Sequence, residues 1–399
     1  MGMDAFRYGT RDRRDLFDVP NRRIRSQLLS DDIDAVIAKL RKGKLLNWIC
    51  KQSLKGELLP VLDVIRDHKV RGFTHCGLVM QIVMRMVMMQ GLHYLEADIN
   101  SPLMCEFTAH NYTVIDLYNI MHSHPGEYNW MAIDKSKNDT TLPNFSAYVL
   151  FFMLNNEWYH FEKGSPDYNL LRGCCMMVHM CWLVRGFNVI IRLTGLDSGV
   201  LVTCTVNGVG GYIMGKFSFE EIYPDKDYVK CVRTRKGGDD EMTTVCASCP
   251  LYNNISQQYI ALHAFGMIST APDKGERKVY DTEEHVVFLQ HKIVRVAGRL
   301  GFSLNKDSIV GCINYIHKND DIDILYQNCQ TALLEAVYHG KEYFNWLRNA
   351  FIKCRGEAKL THMEFKTWNY YHKRWLSQYL GSTRPINDAV FHDEGQLFF

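Results

Sequence analysis

A chain of 399 residues with 47% hydrophobic and 23% charged residues has the profile of a folded globular protein, long enough for two domains. With 46 basic against 44 acidic residues the net charge is +2, so no general field draws the chain to nucleic acid or to an anionic membrane; either would need a local patch. The thirteen cysteines show no framework spacing, and the polar, Arg-rich start carries no secretion signal, which points to a reducing, cytoplasmic setting with free thiols.

Residues 1–30 are charged and aperiodic and read as an N-terminal arm. Asp31 and Asp32 suit the cap of a helix over about 32–43, and 45–52 and 58–68 read as further short helices. Arg71-Gly72-Phe73-Thr74-His75-Cys76-Gly77 then runs into an apolar helix that closes on Gly91-Leu92. Residues 94–134 read as strands, with alternation across Thr113-Val114-Ile115-Asp116-Leu117-Tyr118. The polar stretch 135–144 is a loop, and it ends a first domain over 31–144.

A mixed α/β region follows over 145–256. It reads as a buried strand at 148–154, an apolar helix at 174–184, and strands at 189–193, 200–206 and 212–219, with Asn207-Gly208 as a hairpin turn. Residues 233–256 read as a polar linker. The last region, 257–399, reads as mainly helical over 283–300, 322–338, 340–354 and 361–380, with an irregular tail after Gly381. The longest apolar runs, such as 149–154, are too short to span a bilayer.

The chemistry that stands out is a cysteine at a helix start followed by a histidine and an aspartate on successive strands. A helix N-terminus lowers a thiol pKa through its unpaired N–H groups and dipole. Cys76 would be the nucleophile, His110 would shuttle the proton, and Asp134 would orient the imidazole. The Cys76 backbone N–H is a natural oxyanion donor, with Trp48 and Gln52 as candidates for a second. The helix after Cys76 is apolar almost all round, as a buried helix is.

In this respect residues 45–136 resemble the transglutaminase-like, papain-fold superfamily of cysteine enzymes. Gly72, Cys76 and Gly91 stand in the family's order; His110-Asn111-Tyr112 resembles its His-aromatic strand, and Trp130-Met131-Ala132-Ile133-Asp134 its Trp-x-x-x-Asp strand. Two departures are a glycine farther from the cysteine than is usual and a long connection over 119–128 that carries His122 and His124. The resemblance implies an α+β fold with a papain-type core, a buried helix packed on an antiparallel sheet. It also implies a cysteine hydrolase or acyltransferase that attacks a peptide or glutamine amide through a Cys76 thioester, without cofactor or metal. The alternative is an inactive scaffold of the same fold that serves as a structural or assembly protein in a viral or phage particle, because 145–399 shows no recognisable chemistry and is rich in Tyr, Phe and Met.

Protein or peptide substrates and assembly partners are expected, membranes and nucleic acid are not. The aromatic and basic stretch Trp368-Asn369-Tyr370-Tyr371-His372-Lys373-Arg374-Trp375 suits nucleic-acid stacking but fits an amphipathic helix better. Cys246-Ala247-Ser248-Cys249 has the spacing of half a zinc knuckle; with only Cys231 and His263 near in sequence, it reads as two free thiols in a loop. Gly208-Val209-Gly210-Gly211 lacks a phosphate-loop lysine and reads as part of the turn.

Overall fold

The computed structural model describes residues 7–10, 13–46, 48–54, 72–98, 101–104, 113–136, 141–185, 188–192, 194–196, 202–272, 275–296, 299–314, 322–357 and 363–380. A two-stranded pair, β1 (Phe17–Asp18) and β2 (Arg23–Ile24), precedes helix α1 (Gln27–Arg41). The helix starts earlier than Asp31 suggests, because Ser26 is its N-cap and accepts a hydrogen bond from the Leu29 N–H. Where a helix was expected over 45–52, the chain instead forms strand β3 (Trp48–Leu54), which pairs with β4 (Gly72–His75).

Helix α2 (Leu78–Ala97) is the buried helix expected after Cys76, with Val83, Met84 and Met88 fully inside. It runs through Gly91 rather than ending there. A Cβ on Gly91 would fall 2.8 Å from Leu154, so this glycine sets how closely α2 approaches its neighbour. The alternating stretch at 113–118 becomes helix α3 (Thr113–Met121). Its buried residues Val114, Ile115, Leu117, Tyr118 and Met121 fall on the helical spacing, which wins over the period of two once a face is available to cover.

Strand β5 (Tyr128–Ser136) is followed by helices α4 (Phe145–Leu154) and α5 (Pro166–Met176), strands β6 (Cys181–Arg185) and β7 (Asn188–Arg192), and the long helix α6 (Thr203–Ile222). The short helix α7 (Tyr228–Cys231) then leads into a hairpin of β8 (Val232–Gly237) and β9 (Asp240–Cys246), followed by α8 (Asn254–Phe265) and β10 (Ile268–Thr270). Beyond these stand β11 (Val287–Phe288), β12 (His291–Val296) and β13 (Arg299–Leu304), where a helix was expected. Helices α9 (Lys306–Asn314), α10 (Ile322–Ala336), α11 (Gly340–Glu357) and α12 (Trp368–Leu380) close the described chain, the last three near their expected places.

Two four-stranded sheets organise the molecule: β4-β3-β6-β7, with β3 and β6 parallel, and the antiparallel β10-β5-β9-β8. The second draws on residues 128–136, 232–246 and 268–270, so one sheet joins three of the stretches that the sequence sets apart. On one face of it Met131, Ile133, Val232 and Val245 pack with Phe219, Tyr228 and Tyr252. On the other, Trp130, Ala132 and Met242 pack with α3 and with Val286, Phe288, Leu300 and Phe302.

This arrangement is not the papain-type core of the sequence-based expectation. There, the helix behind Cys76 would lie on the sheet that carries Asp134. Here α2 packs among α1, α4 and α5, and Asp134 belongs to the other sheet. The stretch 200–222 misled because an all-round apolar helix and a pair of buried strands share the same composition.

Candidate active site

The β8–β9 hairpin ends at the pair Gly237↔Asp240, leaving Gly238 and Asp239 as its two-residue turn. Gly238 has φ 72°, the positive value that the first central position of a type II′ turn requires and that glycine adopts at no steric cost. The turn therefore places Asp239 and Asp240 at the end of the sheet. On the neighbouring strand Ile133 is level with Glu241, so the register carried one residue further sets Asp134 across from Asp240. The two strands thus bring Asp134, Asp239 and Asp240 to the same end of the sheet.

Burial raises the Asp240 carboxyl to about 6, and the charge of Asp239 pushes the same way; the Leu289 N–H, donating to Oδ2 at 3.1 Å, and Lys135 pull it back. A largely buried carboxyl beside a second carboxylate, as Asp240 is beside Asp239, is short of positive charge. An oxygen-only donor set supplied by two strands suits a hard divalent cation such as Mg²⁺, which binds through one or two carboxylates and completes its shell with phosphate and water.

Strand alternation sends Lys135, Lys236 and Glu241 to the opposite, helix-covered face. Lys236 and Glu241 form an ion pair with both side chains fully buried, and the Lys135 ammonium lies 4.0 Å from the same carboxylate. Glu241 also accepts hydrogen bonds from Thr243 Oγ1 at 3.0 Å and Gln257 Nε2 at 3.2 Å. Burial opposes the Glu241 charge, but the two lysines and these donors hold it below its usual range. Burial lowers both lysines, Lys236 to about 8, against the pull of Glu241. Two cations against one anion leave a buried positive surplus directly behind the three carboxylates.

The space for this cluster comes from glycines of α6. A Cβ on Gly211 would collide with Lys135 Nζ, and one on Gly208 would fall 2.6 Å from Leu103. Asn207-Gly208 is thus helix interior, not a turn. The first turn of α6 abuts the hairpin tip: Cys204 Sγ lies 3.9 Å from where a Cβ on Gly238 would be. The positive dipole end of such a helix favours phosphate. One turn on, the buried Asn207 Oδ1 has no hydrogen-bond partner.

A second turn supports the tip from the side. Leu289 and Gln290, between β11 and β12, have φ 52° and 64°. Such left-handed conformations cost a non-glycine residue on the order of 1–2 kcal/mol each. The return is local: Leu289 gives its N–H to Asp240, and its side chain stands where a Cβ on Gly237 would be 2.7 Å away.

Of the residues picked from sequence, only Asp134 is at this site. Cys76 is buried, with its Sγ 3.6 Å from Cys50 Sγ, and lines a small cavity with Trp48, Met80, Met84 and Met177. The indole of Trp48 donates to Met177 Sδ at 3.0 Å. His110 lies outside the described residues. In α12 Tyr371 and Trp375 are buried and His372 is stacked on Trp368, as an amphipathic helix requires. The missed residues, Asp239 and Asp240, had a signal: a Gly-Gly pair before them, with Val232 to Thr234 and Met242 to Val245 as strand-like flanks.

Residues 6–354 match the viral RNA-dependent RNA polymerase family, and the chain belongs to that family. A solved Sicinivirus 3Dpol RNA-dependent RNA polymerase superposes with a TM-score of 0.74 over 92% of this chain and 75% of its own, at 16% identity. The fold is accordingly that of a viral polymerase, with palm, fingers and thumb. The RNA1 polyprotein of Tomato torrado virus is 23% identical over 90% of the chain, and that of Satsuma dwarf virus 22% over 87%. The chain spans 17% of the length of each.

These findings overturn the transglutaminase-like resemblance, and with it the expected Cys76 thioester chemistry, hydrolase or acyltransferase. The expectation that nucleic acid is no partner is likewise corrected. It rested on the near-zero net charge, which averages away charges that the fold segregates. The alternative reading, an inactive structural or assembly protein of a viral or phage particle, is overturned as well: the family is viral, but it is one of polymerases.

Proposed function

We propose that this chain synthesises RNA on an RNA template by nucleotidyl transfer, in the cytoplasm of an infected cell. In the reaction a primer 3′-hydroxyl oxygen forms a bond to the α-phosphorus of a nucleoside triphosphate. The bond from that phosphorus to its bridging oxygen breaks, pyrophosphate leaves, and the hydroxyl gives up its proton. The observation that carries this reading is the convergence of Asp134, Asp239 and Asp240 at the end of one sheet, beside a helix N-terminus.

These three carboxylates would hold the divalent cations. Bound there, the ions would lower the pKa of the attacking hydroxyl and offset charge on the leaving phosphates. The chain's own groups do the rest. The II′ turn and the register of β5 on β9 set the carboxylates side by side. The Lys135–Lys236–Glu241 cluster lies behind them, and the charge of Lys135 favours the ionised form of Asp240. The positive dipole end of α6 faces the triphosphate, and Asn207 Oδ1, which has no partner, would accept from a sugar hydroxyl.

The test is primer extension on a synthetic RNA template with all four nucleotides and Mg²⁺. Asp239→Asn or Asp240→Asn is expected to cut extension by about a thousandfold, given that metal-borne charge stabilisation is worth several kcal/mol. Retained RNA binding by the same variants would separate chemistry from recognition. Extension unchanged in Asp240→Asn would sink the assignment.

A further inference from the structure

The base of the same hairpin carries a second cluster of donors. Cys231 ends α7, Cys246 ends β9, and Cys249 lies three residues on. Val232 is level with Val245, so Cys231 comes across from Cys246. The three sulfurs lie within 4.8 Å of one another, with Cys246 and Cys249 at 3.4 Å. A tetrahedral zinc ion with bonds of about 2.3 Å to sulfur needs its ligands about 3.8 Å apart. The spacing of the trio brackets that edge.

We propose that Cys231, Cys246 and Cys249 form a zinc site at the base of the β8–β9 hairpin, three thiolates with water in the fourth position. Among the described residues, no fourth His, Cys, Asp or Glu donor joins the three. All-sulfur ligation selects a soft or borderline ion over the hard cations suited to carboxylates. Binding one Zn²⁺ releases three thiol protons and leaves a net charge of −1.

The surroundings match that charge. Lys226 Nζ lies 3.4 Å from Cys249 Sγ and donates to the Ser248 carbonyl at 2.6 Å. Ser248 Oγ is 3.1 Å from Cys246 Sγ, and the Cys249 N–H bonds the Cys246 carbonyl at 2.9 Å, closing the turn around the sulfurs. Outer groups of this type fix ligand orientation in metal sites.

The experiment uses the full chain purified under reductant, dialysed, and assayed for zinc, with Co²⁺ exchanged in as a spectroscopic probe. About one zinc per chain and thiolate-to-cobalt charge-transfer absorption are expected. The Cys246→Ser/Cys249→Ser variant should lower retained zinc to less than about a tenth, whereas Cys312→Ser/Cys354→Ser, which alters two exposed cysteines elsewhere, should retain it. If the first variant does not fold, Cys231→Ser is read instead, and its cobalt charge-transfer intensity should fall. Zinc absent from the wild-type chain overturns the proposal, as does zinc retention indifferent to these cysteines. A Cys246–Cys249 disulfide in place of metal, seen by mass spectrometry without reductant in the assay, overturns it too.

Discussion

The two ends of the β8–β9 hairpin show opposite solutions to the same geometry. At the tip a tight turn gathers hard carboxylate oxygens, backed by buried ammonium groups; at the base a looser turn gathers soft sulfurs beside a single exposed-side lysine. Both clusters exist because an antiparallel pair brings residues far apart in sequence level with each other. The difference is in charge. At the tip burial and Asp239 raise the Asp240 carboxyl while the Leu289 N–H and Lys135 pull it back, whereas the sulfurs must give up protons to bind an ion.

The largest effect that sharpens this contrast is on turnover. Asp240→Asn should reduce primer extension by about a thousandfold, while Cys246→Ser, at the other end of the same strand, should change it by less than about tenfold. Equal losses in the two variants would mean that the hairpin acts as one unit and that the tip has no special chemistry.

Next comes the support behind the tip. Glu241→Gln leaves two buried lysines facing a neutral amide and should destabilise the fold by about 3–5 kcal/mol in denaturant unfolding. Adding Lys236→Met should recover part of that loss, since removing both members of a buried pair costs less than removing one. A double variant no more stable than Glu241→Gln would count against a paired cluster.

A smaller effect is steric. Gly211→Ala would push a methyl group into Lys135 and should cost about 1–3 kcal/mol. Gly311→Ala in α9 meets nothing within 4 Å and should be neutral or stabilising by up to about 1 kcal/mol. Paired thermal melts of the two variants check both signs.

The smallest effect is in the middle of the hairpin. His124 bonds Thr244 at 3.0 Å, and burial, then the charge of Arg233, lower its pKa from 6.5 to about 4. The unfolded chain therefore binds more protons between those values, and stability falls as pH drops through that window. In His124→Gln the decline from pH 6.5 to about 4 should be shallower; an unchanged slope would show that other groups carry it.

Part of this was legible in the residues. Trp130 to Asp134 read as a strand because alternating apolar residues bounded by polar ones leave few other choices. Helices α10, α11 and α12 read true because their apolar faces recur at helical spacing. Asp134 was noticed, but for a partnership with Cys76 that a different sheet makes irrelevant. Asp239 and Asp240 went unread because Arg233 to Glu241 looks like a solvated charge run, and only pairing across strands lets Lys236 and Glu241 sit inside. All three members of the cysteine trio were in view; what the sequence lacked was the pairing of β8 with β9 that brings Cys231, at the end of α7, across from Cys246.

What the sequence by itself determined is the set of local choices: a glycine at the position of the β8–β9 turn that needs positive φ, a strand before Asp134, apolar helices long enough to bury. Tertiary structure alone decided which side chains meet. Charge, thiol and carboxylate are solvated and interchangeable in an unfolded chain. They acquire partners only when register and glycine-permitted close packing bring the β5, β8 and β9 strands and the α6 helix together, since contact energies at a few ångströms depend on positions that local periodicity does not contain.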